Sequence, residues 1–315
     1  MPLDCPRIGE HATDGATIES LQKQTRAPEE IIVVDDFSDD ATGAIAASYG
    51  VTVHRPPANT GTKAGAQNFA LSHVNTTHCM VVDADTTLAP DAIEKILPAF
   101  DDGSIAAACG FVVPRRVKTV WERGRYIEYL FSFSFYKQVQ DFYRRPLISS
   151  GCFSTYDTAR LRELGGWQTR TMAEDMDLTW TIYEAGFGVR FMPEACSYPV
   201  EPENLRFLRK QLTRWSHAFV QNVRLHWRGI RSMRYLFSSV MVGYSDAVLA
   251  SLVYLAVLPV LMVIASPWFI LGYIIDAPVI STFAVMRRRG PRLAGLPGFL
   301  RLWLVGGLAG EIGRR

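Results

Sequence analysis

A chain of 315 residues, 48% apolar and 20% charged, is long enough for one sizeable α/β domain and an appendage. Its formal charge of +2 hides a split: residues 1–230 carry 24 Lys and Arg against 28 Asp and Glu, and residues 231–315 carry 9 against 3. An acidic front part with no basic stripe argues against nucleic acid as a partner, and a basic, apolar tail suits an anionic membrane surface.

From the start, Met1-Pro2-Leu3-Asp4-Cys5 is poor in apolar residues, so a first strand there is expected to be degenerate or truncated. With no early apolar run, neither a signal peptide nor an N-terminal anchor is expected. The five cysteines are far apart and form no C-x-x-C pair, which argues against a disulfide framework or structural zinc and for a reducing compartment. Predicted helices over Ala16–Gln24, Gly65–His73 and Asp91–Ala99 alternate with short β-branched runs, Ile31–Asp35, Val51–His54 and Cys79–Asp83. This βαβ rhythm predicts a mostly parallel sheet with helices on both faces, and ligands beyond the carboxyl ends of the strands.

Leu205, Leu208, Leu212, Trp215, Phe219 and Val223 recur at three- and four-residue steps, which predicts an amphipathic helix from Asn204 to about Trp227. Ala247–Ala265 holds no charge and as a helix would run about 28 Å, enough for a hydrocarbon core. Trp268–Met286 reads as a second span, weakened by Asp276 and Pro278. Arg228, Arg231 and Arg234 precede the pair and Arg287, Arg288 and Arg289 follow it, so a hairpin with both ends cytoplasmic is expected. A buried helical core is the alternative, and 296–310 reads equally as a partial span or an interfacial helix.

Five motifs carry chemistry, each with a plainer reading. Asp35 and Asp36 close the first β-run and can accept hydrogen bonds from a base or ribose, or form an Asx turn capping the next helix. Asp83-Ala84-Asp85 can aim two carboxylates at Mg²⁺ or Mn²⁺, or make a polar turn. Thr171-x-x-Glu174 fits a capping box, with Asp175 and Asp177 in the first helical turn, yet a carboxylate there can also take a proton from a sugar hydroxyl. Gln211, Arg214 and Trp215 share a helix side, where an Arg can grip a diphosphate and an indole can stack on a sugar, or the Trp can simply join the apolar stripe. Asn59–Asn68 reads as a capped helix start or as a loop that brings Lys63 to phosphate.

In order and spacing, these motifs resemble the processive family 2 glycosyltransferases of the GT-A fold, which include synthases of poly-N-acetylglucosamine, chitin, hyaluronan and cellulose. The resemblance covers about residues 6–230, with 231–315 left as a membrane region. It implies nucleotide binding by Asp35 and Asp36, with Asp83 and Asp85 holding metal and diphosphate. It also implies Glu174-Asp175 as the T-E-D pair with Asp175 as base, and Gln211-x-x-Arg214-Trp215 as the processive signature. Gln211 and Trp215 would then face the acceptor and Arg214 the diphosphate. Two positions depart from the family pattern: Ala173 stands for the Thr of T-E-D, and Gly9 for the Asn of P-x-x-N-E.

The expected activity is inverting, metal-dependent transfer of a sugar from a UDP-sugar, with UDP-N-acetylglucosamine favoured, to a growing polysaccharide at the cell membrane. The alternatives are transfer of one sugar to a lipid or polyprenyl-phosphate acceptor, and a catalytically impaired, nucleotide-sensing membrane partner. Product size separates the first two, and donor hydrolysis excludes the third.

Overall fold

The computed structural model describes residues 2–4 and 14–271. Eight strands form one sheet: β1 (Pro2–Asp4), β2 (Ile32–Val34), β3 (Thr52–His54), β4 (His78–Asp83), β5 (Thr87–Leu88), β6 (Ile105–Val112), β7 (Phe153–Asp157) and β8 (Gly188–Tyr198), in the order β3-β2-β1-β4-β7-β6-β8-β5. The opening segment is not too poor to pair. Leu3 lies between Val33 and Val82, and Asp4 between Val34 and Asp83, all in parallel register.

The expectation of a mostly parallel sheet needs correcting, because the sheet is mixed. β3, β2, β1 and β4 are parallel, as are β6 and β8, but β7 runs against both β4 and β6, and β5 runs against β8. The parallel half follows from helical crossovers: α1 (Asp14–Gln22), α2 (Thr42–Ser48) and α3 (Lys63–Leu71) each return the chain to the same edge. Past α4 (Ala92–Ile96) and β6, the chain makes a longer excursion through α5 (Val120–Phe131), a π turn (Ser132–Tyr136) and α6 (Lys137–Phe142), and β7 re-enters from the opposite end.

Both sheet faces are buried, which explains the unbroken apolar runs. Val34 and Val81 point into a core with Tyr156, Trp167 and Trp180, whereas Val33, Met80 and Val82 point into the other with Ile93 and Phe153. Because Val34 and Asp83 both sit opposite Asp4, the segments following β2 and β4 leave the sheet at one edge. That edge is where the site forms.

After α7 (Thr158–Glu163), α8 (Glu174–Glu184) and β8, the predicted amphipathic helix is present as α9 (Leu205–Leu225), capped by the Asn204 side chain accepting from the Phe207 N–H at 3.1 Å. Then come α10 (Trp227–Ser232), α11 (Arg234–Leu252), a π turn (Val253–Val257) and α12 (Leu258–Ile264). The expected span 247–265 is thus shared among the end of α11, the π turn and α12. Among the described residues, no helix is long and apolar enough to cross a membrane. Residues 272–286 of the second expected span, and 296–310, lie outside the described residues.

Candidate active site

Lys63 opens α3, whose Thr62 cap accepts from the Gly65 N–H at 3.1 Å. Its ammonium donates to Asp83 Oδ1 in a short contact and to the Gly151 carbonyl at 3.2 Å, and lies 3.7 Å from Glu174 Oε1. The Gly151 N–H donates to Asp175 Oδ2 at 2.8 Å. One backbone glycine thus holds the lysine with its carbonyl and the acid with its N–H. A Cβ at position 151 would sit 2.8 Å from Asp175 Oδ2 and 3.3 Å from Lys63 Nζ, so any side chain there would displace the acid from this approach. Four separated stretches of sequence meet here.

Burial raises the Asp175 carboxyl above its usual range, against the pull of the Lys63 charge and of the N–H groups of Gly151 and Met176. Burial also raises Glu174, and the neighbouring Asp175 charge adds to it. A carboxylate that resists ionisation is a stronger base once ionised, which suits it to accept a hydroxyl proton.

The expected capping box is absent. Ala173 is the N-cap of α8 without a side-chain bond, and Thr171 Oγ1 donates to the Ala173 carbonyl. Glu174 is drawn to Lys63 instead. Asp177, fully buried, accepts from Arg170 Nε and Nη2 at 2.8 Å each and pairs with His226 Nε2 at 2.7 Å, while His226 Nδ1 lies 3.0 Å from Glu184. Each acid of this turn therefore has its own partner. Burial would lower the His226 pKa, but bonds to Asp177 and Glu184 outweigh it and raise the pKa above 6.5. The stabilisation from charged His226 is complete below 6.5 and is lost as pH rises through the raised folded value. We expect His226→Ala to lower stability by about 3–5 kcal/mol, the usual size for breaking a buried pair. Thermal melts should show a larger loss at pH 6 than at pH 9.

Asp36 and Asp35 share a turn but differ in role. Asp36 accepts from the Thr60 N–H at 2.7 Å and the Thr60 hydroxyl at 2.8 Å, tying this turn to the loop that delivers Lys63. Asp35 is buried, accepts from the Ser38 N–H at 2.9 Å and pairs with Arg55 at 3.3 Å, so its carboxylate is already engaged in the turn, although it does not cap α2, whose N-cap is Ala41. Asp85 accepts from the Thr86 hydroxyl at 3.2 Å, and its carbonyl accepts from Arg115 Nη2 at 2.7 Å. Burial raises the Cys152 thiol, with smaller and opposing contributions from the charges of Asp83, Lys63, Lys137 and Asp85.

A cavity of about 1240 Å³ lies between α9 and the starts of α3 and α8. Lys63, Arg170, Arg206, Arg209, Lys210 and Arg214 line it against one carboxylate, Glu174. The residues expected to meet the acceptor, Gln211 and Trp215, and the one expected to meet the diphosphate, Arg214, do not share this cavity. Arg214 lines the cavity, but Gln211 and Trp215 do not. The Trp215 ring instead lies 4.8 Å from the guanidinium of Arg125, which is buried and paired with Glu201 at 3.2 Å. A step of one residue turns a helix by about 100°, which separates Arg214 from Trp215. Gln211 Oε1 is buried without a hydrogen-bond partner among the described residues.

Asp83 and Asp85 offer oxygen donors only, and the ammonium on Asp83 marks a cation position. Among the described residues, no group of three or more His, Cys, Asp or Glu is arranged around one point as a metal centre. This donor set fits a hard cation such as Mg²⁺ or Mn²⁺, which one or two carboxylates share with substrate phosphates, and does not fit structural zinc. Sequence reasoning passed over Arg125, Lys137, Arg170, Glu201 and His226. Of these, only Lys137 carried a signal, a charge beside the aromatic run Phe131–Tyr136.

In sequence and in fold the chain is similar to known glycosyltransferases. Residues 14–165 match the sequence model of glycosyl transferase family 2. A probable glycosyltransferase of Bacillus subtilis, YdaM, is 30% identical over 199 residues, covering 60% of this chain and 47% of that protein. The poly-beta-1,6-N-acetyl-D-glucosamine synthase of Staphylococcus epidermidis is 24% identical over 226 residues, covering 69% and 53%. The chain thus spans about half the length of these curated relatives. In fold, it is similar to the mannosyltransferase PcManGT of Pyrobaculum calidifontis, solved with GDP-Man and Mn²⁺, at TM-score 0.58 and 17% identity, over 99% of this chain and 81% of that one.

Proposed function

We propose, since residues 14–165 place this chain in glycosyl transferase family 2, that it moves a sugar from a nucleotide-diphosphate donor onto a growing polysaccharide by an inverting, metal-dependent displacement. One observation carries the reading: at the carboxyl edge of the sheet Lys63 contacts both Asp83 and Glu174, and Gly151 links that lysine to Asp175. The turn that Asp35 and Asp36 shape through their own hydrogen bonds holds the nucleoside end. Asp175 takes the proton of the acceptor hydroxyl, whose oxygen attacks the anomeric carbon. The bond from that carbon to the diphosphate oxygen breaks on the opposite face, and the nucleoside diphosphate leaves with the electron pair. Lys63 and Arg214 offer positive charge to that leaving group. A divalent cation at Asp83 and Asp85 would supply further neutralisation of the diphosphate.

The similarity to the Staphylococcus epidermidis synthase favours UDP-N-acetylglucosamine as donor and a polymer as product. The exposed apolar side chains of Leu255, Val263, Ile264 and Trp268 support attachment to the cell membrane, and the flanking Arg228, Arg231 and Arg234 support a catalytic domain on the cytoplasmic side. A second reading, transfer of one sugar to a lipid-phosphate acceptor, is favoured by the cations of α9 that line the cavity. Membranes carrying the chain, incubated with labelled UDP-sugars and a divalent cation, test both. A ladder of products from UDP-N-acetylglucosamine supports the first reading and a single-sugar lipid the second. Absence of any sugar transfer from any nucleotide donor would refute both.

A further inference from the structure

Lys137 is a buried lysine, 6% exposed, whose ammonium donates to the neutral Ser150 hydroxyl at 2.9 Å and lies over the rings of Phe133 at 4.6 Å and Phe191 at 5.8 Å. Among the described residues, no carboxylate pairs with it. Lysine is almost never buried unless paired, because desolvating an ammonium is costly. Two phenyl faces and a hydroxyl offset only part of that cost. The neighbouring arginines solve the same problem differently: buried Arg125 has Glu201, and Arg190 has Asp141 at 2.9 Å.

The position of Lys137 is also particular. It directly follows the π turn Ser132–Tyr136, which shifts the helix face by about one residue relative to a continuous α-helix, and such turns recur at functional sites. Its partner Ser150 adjoins Gly151, which Lys63 and Asp175 hold. Two ammonium groups therefore grip adjacent residues of one loop. Lys63 has Asp83 and Glu174 for balance, whereas Lys137 has none. Lys137 is thus held away from bulk solvent and against the same loop that Lys63 and Asp175 contact.

We infer that Lys137 is a phosphate-binding residue of the active site, a buried cation whose missing counter-ion is the diphosphate of the bound nucleotide. This rests on the nucleotide-sugar reading above and adds a group to it that no motif marks. Burying the charge without its partner costs the ligand-free protein stability, and the nucleotide restores the balance.

The test compares the full-length chain with Lys137→Met, which keeps the length and apolar stem and removes the charge. Two quantities are read: the melting temperature without ligand, and the affinity for UDP with Mn²⁺ by calorimetry. The expected result is a raised Tm together with about ten- to hundredfold weaker UDP binding, the size of a lost charge-assisted hydrogen bond. A purely structural lysine would not move the two in opposite directions. Unchanged UDP affinity in Lys137→Met, or a variant that fails to fold, overturns the inference. A wild-type chain that binds neither UDP nor GDP with Mn²⁺ refutes the nucleotide-sugar reading itself, and this inference with it.

Discussion

Replacing Asp175 with Asn is expected to lower kcat by about 10²–10⁴-fold, the usual contribution of a positioned general base, while the KM for donor changes little. The asparagine oxygen can still accept from the Gly151 N–H, so the local structure persists and only the proton acceptor is lost. Stability should move the other way. Burial raises the folded pKa of Asp175, so its protonated form favours folding at low pH, and that advantage disappears as pH rises through the raised value. At neutral pH the ionised carboxylate therefore opposes folding, and Asp175→Asn should melt higher than wild type. The wild-type rate should fall on acidification through a pKa above 3.8. Steady-state kinetics across pH and a thermal melt check all three expectations, and a variant turning over at the wild-type rate would remove Asp175 from the chemistry.

The second large effect concerns Asp85. Charge neutralisation at a diphosphate leaving group supplies several kcal/mol, so Asp85→Asn should slow transfer by about 10²–10³-fold. Chelation should silence the wild-type chain, and excess Mn²⁺ should restore the variant in part. Asp83 makes a less clean variant, because Lys63 leans on it directly. Turnover of the wild type that persists in chelator would contradict the assignment.

Much of this site was legible in the sequence because its carriers are local. Ile31–Asp35 and Cys79–Asp83 each join an unbroken apolar run to acids, and strands buried on both faces have that pattern. What long-range contacts decide was not legible. Phe153–Asp157, with Ser154 and Thr155 inside it, gives little strand signal, yet it lies antiparallel between β4 and β6 and makes the sheet mixed. Thr171-x-x-Glu174 satisfies the capping pattern, but a lysine from α3 takes Glu174 and leaves Ala173 at the cap. No motif marks Lys137, which lies buried directly after the π turn Ser132–Tyr136. The turn of α9 decides that Arg214 reaches the cavity while Trp215 lies against Arg125. In the first two cases residues far along the chain override a valid local preference.

The claim on which the account stands is that the separated acids gather around one metal-bridged diphosphate. Crystals grown with UDP and Mn²⁺ test it by the anomalous scattering of manganese. The account predicts a peak at Asp85 and Asp83, with the diphosphate between it and Lys63 and the Asp175 carboxylate open to the same cleft. Manganese bound at another surface, or UDP density away from the carboxyl edge of β4, would contradict it.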